Sequence, residues 1–164
     1  MPSRRKSRER ALQLLFQLDL TPQPVEQALA SFYDSLYPEL TASPPRPDRF
    51  AEQLVRGVLE RRPQIDELIT RHARNWRLER MPAVDRNLMR LAIFEMTALG
   101  SPPAVAINEA LELARRFSAE ESAPFINGVL DAVRKELGVP DQPRPPGRRG
   151  GARSGRGTAP AGGG

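Results

Sequence analysis

Apolar side chains recur every three or four positions along most of this chain, the spacing of residues on one face of an α-helix. The first stripe runs through residues 11–18, and Pro22 and Pro24 follow it where a helix would end. In chain order, further stripes predict helices over residues 25–36, from Asp48, from Pro63 and over 84–99. No alternation of apolar and polar residues lasts long enough to predict a strand.

The most regular pattern lies between Val105 and Leu137 and predicts two amphipathic helices joined by a tight turn. The turn sequence from Ser118 to Glu121 fits a capping box, in which both side chains accept hydrogen bonds from free backbone N–H groups. Gly128 falls in the middle of the last helix, where glycine costs about 1 kcal/mol relative to alanine. We expect a close helix–helix approach to compensate for that cost.

These elements predict an all-α fold of about seven helices. With 164 residues, 39% of them apolar, the chain can bury one moderate core. Residues 1–137 are therefore predicted to form one helical domain. From residue 138 onward proline and glycine dominate, and such a segment cannot bury enough apolar area to offset its ordering entropy. Residues 138–164 are predicted to be a disordered tail.

The composition argues against several classes of protein. The chain has no cysteine, so it can form neither disulfides nor a thiolate metal site, and a reducing cytosol suits it. No apolar run approaches the roughly 20 residues that span a bilayer. The basic N-terminus lacks the apolar core of a secretory signal. We expect a soluble, cytoplasmic protein without a metal or cofactor.

Positive charge is concentrated at the two ends of the chain. Residues 1–10 and residues 138–164 each contain five basic residues and one acidic residue, which gives each end a net charge of +4. Because the whole chain carries +5, residues 11–137 carry −3. Clustered basic residues are typical of proteins that bind RNA, since they release counterions from phosphates. A flank that only improves solubility is an equal alternative.

The two basic ends differ in their expected structure. The cluster from Arg4 to Arg10 runs directly into the first apolar stripe, and arginine favours helices. It is therefore predicted to continue that helix and present an ordered row of guanidinium groups. In the tail, Arg149-Gly150-Gly151 resembles a fragment of RNA-binding RGG segments. A single triplet is weak evidence for RNA binding, so a solvated tail without that role is favoured.

No group of residues predicts catalysis. His72 is the only histidine and there is no cysteine, so a usual zinc site is excluded and a surface or half-buried imidazole is expected. Glu109 and Glu112 lie one turn apart, yet no nucleophile or phosphate-binding loop accompanies them. Trp76 is expected to pack between helices rather than stack on a base. We expect a protein that is not an enzyme.

Three stretches of the sequence resemble the NusB family of transcription antitermination factors. They are the arginine-rich entry followed by ALQLLFQLD at 11–19, VDRNLMRLAIFE at 84–95 after Trp76, and AINEALELARRF and FINGVLD beginning at 106 and 125. The resemblance covers nearly all of residues 3–137. It implies two packed three-helix bundles with an additional helix.

The resemblance also implies a function. NusB proteins bind the boxA element in the leaders of nascent ribosomal RNA. Their partner is NusE, a ribosomal protein of the small subunit, and the pair joins RNA polymerase with other Nus factors. The arginine-rich motif maps onto phosphate-contacting residues, namely Arg4, Arg5, Lys6, Arg8 and Arg10.

Other site residues are carried over position by position. Phe16 stands where many members have tyrosine, and either stacks on a base or shares the core with Leu12. Glu121 falls near the RNA-facing edge, and Phe125 and Asn127 follow it on the last helix. Glu121 either limits the affinity, accepts a base amino group or caps the helix, and Asn127 either contacts RNA or, as its position favours, only packs. The implied surface for the protein partner contains Glu79, Arg80, Asp85 and Arg86.

Two other functions compete with antitermination. One is the NusB-like N-terminal module of an RNA cytosine methyltransferase, an enzyme that needs a catalytic cysteine and an α/β domain for its methyl donor. This chain contains no cysteine. The other is a helical protein-interaction domain without a role in RNA binding. The net negative charge of residues 11–137 is also compatible with that function.

Overall fold

The computed structural model describes residues 2–36 and 46–140, and within them every regular element is helical. The α-helices are α1 (Arg4–Leu20), α2 (Val25–Ser35), α3 (Arg49–His72), α4 (Ala83–Ala98), α5 (Pro103–Phe117) and α6 (Ser122–Leu137). A short 3₁₀ helix, Leu78–Arg80, lies between α3 and α4. The all-α prediction is confirmed. The predicted disordered tail lies outside the described residues from position 141 onward.

The predicted third and fourth helices are one continuous helix, α3, so the described chain has six α-helices rather than about seven. Pro63 lies inside α3, although proline lacks the N–H for the helical bond and costs about 3 kcal/mol. Leu54 and Val58 before it, and Ile65 and Ile69 after it, lie on one buried face. Burial of that shared face keeps the helix continuous across an exposed proline.

The capping box predicted at the start of α6 is wrong. Glu121 is the residue before α6 and makes no side-chain capping bond. The Ser118 hydroxyl instead donates to the Asp85 carboxylate at 2.5 Å and contacts the Ser122 hydroxyl at 2.8 Å. Ser122 donates to the other Asp85 oxygen at 2.7 Å. The buried Asp85 carboxylate on α4 thus accepts hydrogen bonds from both hydroxyls. These bonds hold the α5–α6 turn against the start of α4.

Helix α4 is central and packs against α1, α3, α5 and α6. Every residue from Asn87 to Met96 is buried, as expected for a helix surrounded by others. Helices α4, α5 and α6 pack against one another as one bundle, while α1 packs against α2 and α3 in the other. The predicted pair of packed bundles is therefore confirmed.

A buried network of ion pairs joins α1, α3 and α4. Arg90 is 2% exposed and donates from Nε and Nη2 to the Asp66 carboxylate at 2.7 and 3.0 Å. Its Nη1 donates to Asp19 at 3.1 Å. Asp19 also accepts from Arg86 at 2.6 Å and from Asn87 at 3.0 Å. Because buried charges are costly unless paired, this network fixes how α1 lies against α4.

Close helix approach occurs at Gly57, not at Gly128. A Cβ atom on Gly57 would lie 2.0 Å from the Cζ atom of Phe94, so α3 can approach the α4 ring only because the side chain is missing. Gly128 is exposed, and a Cβ there would meet nothing within 4 Å. The expectation that Gly128 is compensated by close packing is wrong.

These two glycines should respond to alanine with opposite signs. Gly57→Ala should lower the free energy of unfolding by about 1–3 kcal/mol, because the Phe94 ring must move within a packed core. Gly128→Ala should raise it by up to about 1 kcal/mol through helix propensity. Urea unfolding of both variants measures the difference. Equal effects at the two positions would contradict this account of the α3–α4 contact.

Candidate nucleic-acid interface

The arginine-rich segment is helical from its first arginine. Ser3 precedes α1, and its hydroxyl oxygen accepts a hydrogen bond from the Lys6 N–H at 3.0 Å, which satisfies one free donor of the first turn. The predicted continuation of the first helix through the basic cluster is confirmed. The helical twist, however, sends the basic side chains in different directions, so they do not form one row.

Two of the basic side chains turn inward to carboxylates. Arg8 makes a bidentate pair with Glu95 of α4 at 2.7 and 2.8 Å, and these side chains are only 12% and 2% exposed. The hydrogen bonds that Arg8 donates to Glu95 raise the pKa of Arg8, despite the opposing effect of burial. Arg10 donates to Asp48 at 3.1 Å, beside the Ser7 hydroxyl at 2.7 Å. These contacts fasten α1 to α4 and to the start of α3.

Three basic side chains face solvent, and we name Arg4, Arg5 and Lys6 the N-terminal patch. The Arg5 side chain is 63% exposed and pairs with Glu109 of α5 at 2.8 Å. The Lys6 side chain is 53% exposed and pairs with Glu9. The Arg4 guanidinium lies 4.0 Å from the centre of the Phe50 ring. Surface pairs of this kind are weak, so the N-terminal patch can exchange them for phosphate contacts.

Phe16 lies outside the core, at the other end of α1. It is 37% exposed and borders a groove of about 310 Å³ between α1, the start of α4 and the end of α5. Phe117, 45% exposed, borders the same groove. The remaining lining residues are Glu9, Leu12, Gln13 and Val84. The groove is mainly apolar, and its one charged residue is a carboxylate.

The three predicted RNA residues at the start of α6 face different surroundings. Glu121 is exposed at the end of the turn. Phe125 is half-buried and contacts Trp76 edge to face, with the ring centres 6.2 Å apart. Asn127 is exposed and borders a separate groove between α5 and α6, beside Arg115. Helical geometry therefore separates Asn127 from Phe125, although the two are close in sequence.

The four predicted partner residues divide into two pairs. Glu79 and Arg80 are exposed on the 3₁₀ helix. Asp85 is 3% exposed and is occupied by two serine hydroxyls. Arg86 is half-buried, bound to Asp19 and to backbone carbonyls of the segment before α4. Only Glu79 and Arg80 are open to a partner surface.

The predicted residues thus lie at two ends of α4. The N-terminal patch lies near Glu95, towards the end of α4, whereas Glu121 and Phe125 lie near its start, beside Asp85. Sequence reasoning missed that Trp76 is 53% exposed, against the expectation that it packs between helices. Its position between Arg74 and Arg77 in the sequence was a signal that could have indicated an exposed aromatic residue.

The described residues offer no metal site and no membrane-spanning helix. Across residues 2–36 and 46–140, no group of three or more His, Cys, Asp or Glu side chains could hold a metal ion. His72 is half-buried, with its Nε2 atom 2.6 Å from Glu136. In the part of the chain that the structure describes, no helix is long and apolar enough to cross a membrane.

Comparison with known proteins places the chain in a family. A family model described as the NusB family matches residues 5–135. Transcription antitermination protein NusB of Solibacter usitatus is 56% identical over 143 residues, which cover 87% of this chain and 96% of that protein.

Solved structures show the same fold. The T. maritima NusB structure is 34% identical, with a TM-score of 0.69, over 82% of this chain and 92% of that one. A structure of NusB and NusE in complex with dsRNA has a TM-score of 0.69 at 24% identity, over 81% and 96% of the two chains, and supports the fold alone. From the family match over residues 5–135 and the 56% identical relative, this chain belongs to the NusB family.

Proposed function

We propose that this chain is a cytoplasmic transcription antitermination factor. It binds boxA-type RNA in ribosomal RNA leaders together with NusE, and joins the RNA polymerase elongation complex with other Nus factors. The observation that carries the proposal is the 56% identity to a transcription antitermination protein over 87% of this chain. The match spans 96% of that relative, which favours antitermination over the methyltransferase module.

The N-terminal patch supplies the attraction for RNA in this proposal. Arg4, Arg5 and Lys6 are exposed on a capped helix, so their charges are held in place before RNA arrives. Arg8 and Arg10 act mainly by holding that helix on the body through Glu95 and Asp48. The patch therefore contacts phosphates, which carry no sequence information.

Sequence preference requires contacts to bases. Phe125 and Glu121, at the start of α6, offer an aromatic ring and a carboxylate that accepts from a base amino group. Asn127 offers an amide on the neighbouring groove. We propose these three residues for base contacts, at the opposite end of α4 from the N-terminal patch.

The Phe16 groove suits a protein better than RNA. Its lining is apolar apart from Gln13 and Glu9, and a carboxylate repels phosphate. We propose that it receives an apolar side chain of NusE, and that Glu79 and Arg80 contribute to the same partner. Phe16 is then a partner contact rather than a base-stacking residue.

A binding titration tests the function. The full chain should bind boxA RNA more tightly than a scrambled RNA of equal length, and NusE should increase that preference. Replacing Arg4, Arg5 and Lys6 with alanine should weaken binding to both RNAs. Each lost single-strand phosphate contact lowers the log–log salt slope by about 0.7, so the slope should fall by about 2.

Phe16→Ala separates the two ligands within the same titration. It should reduce the effect of NusE and leave binding to RNA alone unchanged. A chain that binds boxA and scrambled RNA equally, with and without NusE, would refute the proposed function. An unchanged salt slope in the triple variant would refute the role of the N-terminal patch.

A further inference from the structure

The segment between α3 and α4 carries arginines that form no ion pair with any described carboxylate. Arg74 and Arg77 are exposed, and in the described part of the chain neither makes an ion pair. Arg71, one turn before Arg74, is instead bound to Glu136. Most basic residues of the first turns of α1 are also paired. Arg74 and Arg77 therefore present unneutralised positive charge that remains available to a ligand.

An exposed aromatic residue lies between these arginines. Trp76 is 53% exposed, although tryptophan gains much from burial. Its ring contacts Phe125 of α6 edge to face, with centres 6.2 Å apart and planes at 63°. The contact fixes the orientation of the indole and leaves about half of the residue open to solvent.

The backbone of this segment is held in place from inside. The Trp76 N–H donates to the Ala73 carbonyl at 3.1 Å. From α4, Arg86 donates to the carbonyls of Leu78 and Met81 at 3.3 and 3.1 Å. Met81 and Ala73 are buried anchors at either side. The segment is therefore ordered before a ligand binds, which lowers the entropic cost of binding.

We propose that Arg74, Trp76, Arg77 and Phe125, the connector patch, form a second contact site for single-stranded RNA. An unpaired base stacks on the Trp76 indole, and the two arginines contact the flanking phosphates. Aromatic rings set among unpaired arginines are the combination by which proteins hold single strands. The inference rests on the proposed function, because RNA is the ligand in both.

The position of the connector patch fits an RNA strand that also reaches the N-terminal patch. The part of the connector patch formed by residues 74–77 lies shortly before the start of α4, and Arg8 is bound to Glu95 near the end of α4. Twelve residues of helix separate Ala83 from Glu95, a rise of about 18 Å. At the rise of about 3.4 Å per nucleotide of a stacked strand, that distance corresponds to about five nucleotides.

Trp76 itself reports on the site, because it is the only tryptophan of the chain. The full chain is titrated with boxA RNA while tryptophan emission and the anisotropy of labelled RNA are both recorded. Stacking should quench the emission with the same midpoint as the anisotropy change. Binding that leaves the emission unchanged, or emission that responds to NusE and not to RNA, would overturn the connector patch.

Variants supply the second test. Trp76→Ala should weaken RNA binding about 5- to 150-fold, and Trp76→Phe should restore most of the loss. The double variant Arg74→Gln/Arg77→Gln should lower the salt slope by about 1.4. The matched control is Arg56→Gln/Arg61→Gln, which removes the same charge from exposed positions on α3 and should leave the slope unchanged.

The outcomes separate this inference from the proposed function. If the natural chain prefers boxA RNA but the Trp76 and arginine variants bind that RNA with the same affinity as the natural chain, the connector patch is refuted and the proposed function stands. If the natural chain binds no RNA, both are refuted. If Trp76→Ala does not fold, Trp76→Phe and the quenching of the natural chain still decide the question.

Discussion

Replacing Arg90 with alanine should lower the free energy of unfolding by about 3–5 kcal/mol, the range for breaking a buried ion pair. Arg90 is 2% exposed and serves both Asp66 and Asp19. Its removal leaves two carboxylates facing a cavity in the helical core with fewer donors. The measurement is urea unfolding followed by circular dichroism at neutral pH.

The control for Arg90 is an ion pair at the surface. Arg56 pairs with Glu26 across α3 and α2, with both side chains well exposed. Arg56→Ala should cost less than about 1 kcal/mol, because water screens such pairs. If Arg90→Ala costs no more than Arg56→Ala, the buried network contributes little to stability and other contacts position α1.

The same network gives stability a dependence on pH. Burial raises the pKa of Asp19, but hydrogen bonds from Arg86 and Asn87 and the charge of Arg90 outweigh it, so the pKa is lowered overall. A carboxyl with a lowered folded pKa stabilises above its unfolded value, about 3.9, and loses that contribution as pH falls through the lower folded value. Arg90→Ala removes one of the charges that lower the pKa of Asp19, so the part of the stability that Asp19 loses on acidification should be smaller and should be lost completely at a higher pH than in the natural chain, as urea unfolding between pH 2 and 7 would show.

The helices were predictable because their signal is local. Apolar spacing located α1, α2, α4, α5 and α6, since a helix reveals its buried face within a few turns. The errors came where a local rule met a distant contact. Pro63 suggested a helix start, but a shared buried face continues α3 through it. Ser118 suggested a helix cap, but its hydroxyl donates a hydrogen bond to Asp85, 33 positions away in the sequence.

The candidate site was less predictable, for the same physical reason. Counting charge identified the basic first turns of α1 but not the carboxylates that neutralise part of them. Arg8 meets Glu95 at a separation of 87 positions, and Arg10 meets Asp48 at 38. The exposure of Trp76 was likewise invisible, because an aromatic residue between helices packs or protrudes according to neighbours from other elements.

Arg8→Ala should therefore act on folding rather than on RNA. Loss of the bidentate pair leaves Glu95, 1% exposed, without its main partner, and should lower the free energy of unfolding by about 3–5 kcal/mol. The double variant Arg4→Ala/Lys6→Ala removes exposed side chains of the same cluster. It should change stability by less than about 1 kcal/mol and weaken RNA binding instead.

Stability and the salt dependence of RNA binding, measured on the same samples, decide between the two roles. At a temperature where Arg8→Ala is folded, the salt slope of its RNA binding should equal that of the natural chain. The slope of the double variant Arg4→Ala/Lys6→Ala should be lower by about 1.4. Arg8→Lys refines the result, since it keeps the charge but cannot form the planar two-bond pair with Glu95. If Arg8→Ala is fully stable and its slope falls by about 0.7, Arg8 is a phosphate contact, and the basic segment acts on RNA as a whole. If only stability falls, the arginine-rich segment has two roles. Arg8 then holds α1 against α4, and the exposed Arg4, Arg5 and Lys6 of the same helix contact the RNA.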